Sequence, residues 1–191
     1  MQKENWFKLD LFHWDFLSSL VKGLWFYICK HYGEEVKMPE TKVVFMTERI
    51  FKKFVRSVDL SESLKKEYGR RENIYKAHMV YFGQVQLEPV GDKTCHCIAI
   101  RKAKLQKARR FLIKHFRQDF SLAETILLGL IHETIHLYED ITRRTYLDHS
   151  KKILMEAEKA FFMRFKNDHP EYFSDKNERN ILNTLKKIPD R

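Results

Sequence analysis

The stretch Ile131-His132-Glu133-Thr134-Ile135-His136 lies late in a long apolar segment that runs from Ser121 to Tyr146. It reads H-E-x-x-H. Positions i and i+4 of a helix lie one above the other, so His132 and His136 can aim both imidazoles at one ion. Glu133 is one step round, close enough to take a proton from water. The pattern predicts a catalytic zinc with two His ligands and a Glu general base. The bland alternative is a buried helix whose histidines are satisfied by ordinary hydrogen bonds. The neighbours weigh against it. Leu127, Leu128, Leu130, Ile131, Ile135 and Leu137 would bury polar groups at a cost unless something pairs them, and a metal does so.

Upstream, Ser121-Leu-Ala-Glu124 is a capping box that starts this helix. Gly129 lies one turn before His132, where a missing side chain leaves room for substrate or for a neighbouring backbone. Before that, Arg101 to Gln118 reads as another helix. Leu105, Ala108, Leu112 and Phe116 form its apolar stripe, and Lys107, Arg110, Lys114 and Arg117 lie opposite. No acidic residue occurs between Lys93 and Asp119. A one-signed face of this kind is either solvated surface or a contact for phosphates, and no base-reading motif accompanies it.

Strands are expected at Thr41–Met46, Ala77–Leu87 and Thr94–Ile100. The last two form a hairpin across the Pro89–Asp92 turn, and its edge could hold an extended substrate by strand addition. Met79, Tyr81, Val85 and Leu87 are read as one face. Cys95-His96-Cys97 sits in the third strand, with both thiols on one side and the imidazole on the other. One C-x-C with no second cysteine pair is poor zinc spacing, so these are read as strand residues. Amphipathic helices are expected across 9–31, ended by Gly33, and across 48–68, divided near Asp59, Ser61 and Ser63. Gly69–Asn73 reads as a polar turn. A run from Asp148 to Phe165 and a final helix at about Asp175–Lys187 follow.

A catalytic zinc needs a third protein ligand. The longer H-E-x-x-H-x-x-G-x-x-H pattern is absent, because Glu139 and Thr142 stand at its last two positions. His149, at the start of the next helical run, and Glu156, two turns further on with Glu158 close by, are the candidates. His149 is preferred for its spacing, with Glu156 as the alternative or as a carboxylate that orients a ligand imidazole.

On these residues the chain resembles the SprT-like (Spartan-type) metalloproteases, in which a His opening the next helix follows H-E-x-x-H by about a dozen residues. His149-Ser150-Lys151-Lys152-Ile153 occupies that place, with Ser150 for the usual Gly and Ile153 for the usual aromatic. The resemblance spans residues 77–165. It implies a zincin-like α+β domain, zinc on His132, His136 and His149, and a protease acting on proteins associated with DNA. Glu156-Ala157 with Ala160-Phe161 is similar instead to the Glu-ligand helix of the ImmA/IrrE-like metallopeptidases, which implies a regulatory peptidase.

The 191 residues suit one domain: an N-terminal part over 1–76, a core over 77–165 and a C-terminal helix over 166–191. With 43% hydrophobic and 14% aromatic residues, a substantial core is expected. The fold class is α+β, a small mixed sheet of about three strands packed by helices, with H-E-x-x-H on a buried one. A net charge of +10 favours acidic partners, nucleic acid first, and motivates a second reading: a nucleic-acid-binding protein whose zinc is structural or vestigial. Three cysteines suggest no disulfide framework. With no signal-like start and no apolar run long enough to span a bilayer, the expected location is intracellular, in the cytoplasm, nucleoid or nucleus.

Overall fold

Alternate residues of the strands face two separate apolar layers. Val43, Phe45, Ile98, Ile100, Met79 and Tyr81 join one core, while Val44, Met46, Cys97, Ala99, Val80 and Phe82 join the other. A strand buried on both faces reads as continuously apolar, as Cys95–Arg101 does here. A computed structural model carries this arrangement. It describes residues 12–13, 15–58, 65, 68–69, 71–85, 94–144 and 153–188, with the backbone alone for 12, 13, 15, 71 and 153–156.

The described elements are β1 (Phe12–His13), α1 (Asp15–Tyr32), β2 (Thr41–Met46), α2 (Glu48–Ser57) and α3 (Arg71–Ile74). There follow β3 (Met79–Val85), β4 (Cys95–Arg101), α4 (Lys102–Phe116), α5 (Leu122–Thr142), α6 (Ile153–Asp168), a 3-10 turn (Pro170–Phe173) and α7 (Asp175–Lys187). The fold is α+β. The sheet order is β1-β2-β4-β3, with β2 parallel to β4 and the other pairs antiparallel. Its body is the three longer strands, and two-residue β1 pairs with the outer side of β2. Helices α1, α4, α5, α6 and α7 contribute to the larger core, and α2 with Ile74 of α3 to the smaller. No helix among the described residues is long and apolar enough to cross a membrane.

Several expectations are revised. The N-terminal helix begins at Asp15, because Phe12 and His13 are drawn into pairing with Phe45 and Val44. Gly33, at φ +73°, follows that helix as expected. The polar turn at Gly69–Asn73 partly winds into α3, which Ile74 anchors at 0% exposure. The hairpin strand does not keep one alternation. Between Tyr81 and Gln84 it carries one more residue than β4 does, with Gly83 at φ +75°. This bulge flips the phase, so Val85 faces the smaller core rather than sharing a face with Met79 and Tyr81. The dividing residues Asp59, Ser61 and Ser63, and the turn at Pro89–Asp92, lie outside the described residues.

Arg101 was expected to open the basic helix. Instead it closes β4 and is 1% exposed. Its Nε and Nη2 donate to Glu48 Oε1 and Oε2 at 3.0 and 2.6 Å. Nη1 donates to the carbonyls of Tyr75 and Ala77, and the guanidinium lies 4.2 Å from the Phe51 ring centroid. One cation thus ties α2, the segment before β3, and the end of β4. Breaking a buried, fully bonded pair strands its partners. Arg101→Ala is expected to lower the unfolding free energy by about 3 kcal/mol in urea denaturation. Arg101→Lys should recover little of it, since an ammonium cannot reproduce the planar fork.

Candidate metal centre

Helix α5 starts as its capping box requires. Ser121 Oγ accepts from the Glu124 N–H at 3.1 Å, and the Glu124 carboxylate accepts from the Ser121 N–H at 2.8 Å. From there the helix runs through the interior, and Thr125 to Ile131 and Glu133 to Tyr138 are buried. His132 keeps a quarter of its side chain exposed, whereas His136 and Glu133 are each 3% exposed.

The two imidazoles converge. Their Nε2 atoms stand 3.2 Å apart, with the rings close to perpendicular at 85°. Each Nδ1 faces a carboxylate: Glu158 Oε1 of α6 at 2.5 Å from His132, and Glu139 Oε2 at 3.0 Å from His136. A carboxylate there favours the Nδ1–H tautomer on both rings. At 3.2 Å the two Nε2 atoms can share a hydrogen bond, if one of them carries the proton, or can ligate one cation together, if both carry lone pairs. Imidazoles backed by carboxylates on the far nitrogen are the usual supports of metal-ligating histidines. The donor set therefore fits a divalent ion at these two nitrogens. Among the described residues, no group of three or more His, Cys, Asp or Glu side chains is placed to hold one. His149 and the Glu156 side chain lie outside the described residues. Sequence spacing raised Glu156 as an orienting carboxylate. The described carboxylate of α6 that meets His132 Nδ1 is Glu158.

Glu133 reaches the sheet. Its Oε2 accepts the Tyr81 N–H at 2.7 Å. The strand β3 is an end strand, and His78 carbonyl accepts the Arg101 N–H across the ladder. In the antiparallel pattern Tyr81 then turns its N–H away from β4, toward the free edge. Glu133 satisfies that outward donor. The Tyr81 hydroxyl donates to Asp140 Oδ2 at 2.9 Å and lies 2.6 Å from His96 Nδ1. Asp140 is one turn beyond His136 on α5. Burial, then Asp140, raises the Tyr81 pKa, and burial lowers that of His96 against the pull of Asp140. His96 faces this network, while Cys95 and Cys97 face the smaller core, as alternation in a strand requires. Burial pushes the Cys97 thiol up, so it stays protonated and apolar in behaviour.

Two residues escaped the sequence reading. Tyr81 gave no signal beyond strand alternation. His78, just before β3, is a lone histidine with no motif around it. Its Nε2 is buried and lacks a hydrogen-bond partner among the described residues. It fills the notch left by Gly129, where an added Cβ would stand 3.1 Å from that nitrogen and 3.0 Å from Met79 Cε. Burial first, then His132 and Arg101, lowers the His78 pKa to about 4, so the ring is neutral near pH 7. The room at Gly129 is thus taken by His78 and Met79. Tyr138, two residues beyond His136, is fully buried against Trp25 and Tyr32.

The basic residues sit on a different element. Lys107, Arg110 and Lys114 are exposed on α4, and exposed Arg117 is its left-handed cap at φ 51°. Compared with protein-family models, curated proteins and solved structures, the chain matches none.

If Glu158 orients a ligand, Glu158→Ala should weaken zinc binding by about 10- to 100-fold while leaving both histidines in place. Competition with a chromogenic chelator measures this directly.

Proposed function

We propose that this chain is a zinc-dependent metallopeptidase with a zincin-like centre, hydrolysing peptide bonds. The observation that carries the reading is the pair of Nε2 atoms 3.2 Å apart on one buried helix, each ring backed by a carboxylate on Nδ1. His132 and His136 would hold the ion, with His149 as the third protein ligand.

A divalent ion in that position supplies a Lewis acid that polarises a peptide carbonyl and acidifies water. The protein's own groups do the rest. Glu158 and Glu139 lock the imidazole tautomer and ring orientation. Glu133 takes the proton of the attacking water and hands it to the leaving amine. Its hydrogen bond from Tyr81 fixes the carboxylate against the edge of β3, so proton carrier and sheet edge are held in one geometry. An extended peptide laid along that edge would find outward-facing backbone groups beside Glu133. The neutral His78 ring and the Tyr81–His96–Asp140 network sit on the sheet side of the same helix and hold β3 and β4 against it.

Glu133→Gln keeps the size and the hydrogen-bond acceptor but not the basicity. It should retain zinc and lose hydrolysis of unstructured peptides by at least about 100-fold. Turnover equal to wild type in that variant would end the mechanism. Metal content measured in parallel for His149→Ala and Glu156→Ala assigns the third ligand, with the loss expected in His149→Ala.

A further inference from the structure

Helix α4 carries six Lys and Arg residues and no Asp or Glu, and its inner side is occupied by Leu105 and Leu112. Phe111 departs from that division of labour. It lies on the outer side, 55% exposed, next to Lys107 and Lys114 at i−4 and i+3. A phenyl ring more than half exposed to water gains little from burial at that position. Its orientation is nonetheless fixed. His115 stacks against it at 5.8 Å with the planes 12° apart, and His115 is held edge-on by Phe116 at 4.8 Å. Phe116 continues inward to Phe120 and Phe162 of the larger core. Phe111 is therefore the outer rung of an aromatic ladder, backed on one side and open to solvent on the other.

The cations around it are available. Arg109 is turned away, bonded to the Phe120 carbonyl and paired with Asp119. Among the described residues, Lys107, Lys114 and Arg117 form no ion pair, and Arg110 bonds only a carbonyl of its own helix. From α6, Lys159 adds a further ammonium, 4.7 Å from the Phe116 ring centroid.

We infer that this face of α4 binds single-stranded nucleic acid, with the phosphates on Lys107, Arg110, Lys114 and Arg117 and an unpaired base stacked on Phe111. Charge complementarity calls for a polyanion. The fixed, half-exposed ring selects among polyanions, because a base offers it a flat face only when unpaired. A duplex closes its bases to such a ring. A lipid surface would need several apolar side chains along the outer face, and here Phe111 is the one large exposed hydrophobic on α4. The inference stands independently of the hydrolytic reading, since it uses none of the α5 residues.

The test is fluorescence anisotropy with the full chain, using a labelled oligothymidylate and a mixed-sequence duplex of equal length over a salt series. Wild type should prefer the single strand, with affinity falling steeply as salt rises. Phe111→Ala should weaken single-strand binding about tenfold and leave duplex binding unchanged, while Phe111→Trp should retain binding and show quenched indole emission. Combined Lys107→Glu, Arg110→Glu and Lys114→Glu should abolish both. Single-strand affinity unaltered by Phe111→Ala, a preference for duplex, or binding that survives the charge reversal would each overturn the proposal. Failure to bind either oligonucleotide, with sedimentation on phosphatidylserine vesicles instead, would overturn it in favour of a membrane.

Discussion

Burying α5 obliges the polar atoms along one of its faces to find partners inside the protein. An unsatisfied buried polar group costs on the order of 1–3 kcal/mol, and a charged one more. The surroundings of the helix answer that demand residue by residue. Glu133 takes the outward N–H of Tyr81, Asp140 takes the Tyr81 hydroxyl, and His132 and His136 each meet a carboxylate. One requirement is met differently. The two Nε2 atoms face each other at 3.2 Å, where one ring can donate to the other or both can ligate one cation, as the proposed function requires.

This demand also accounts for features of the sheet. As an end strand, β3 must dispose of its outward backbone groups, and Glu133 removes one of them. The bulge at Gly83 lets β3 place Tyr81 toward α5 and still send Val85 into the smaller core. On the far face, Arg101 anchors α2 and the segment before β3 to the end of β4. The segment carrying His78 is therefore held from both sides, between the Arg101 knot and the Gly129 notch.

Much of this is legible from residues alone. The capping box at Ser121 and Glu124, the strand Thr41–Met46, the closing helix Asp175–Lys187 and the separation of His96 from its flanking cysteines all follow from local rules. The i, i+4 histidines and the intervening glutamate need only helical geometry. What local rules miss depends on how elements meet. The bulge at Gly83 inverts an alternation that would otherwise read straight through. Whether Glu156 or Glu158 backs His132 depends on the rotation of α6 against α5, which spacing along one chain does not encode. His78 and Tyr81 matter only because β3 lies beside α5. Phe111 reads as one more apolar residue until its side of α4 is seen to face water.

The most direct measurement is the zinc K-edge absorption spectrum of the metal-loaded protein. Two or three imidazole nitrogens at about 2.0–2.1 Å are predicted, with the imidazole signal diminished when His132 or His136 is replaced. A first shell containing sulfur near about 2.3 Å, or oxygen alone, would place the ion elsewhere and contradict a centre built on the two converging rings of α5.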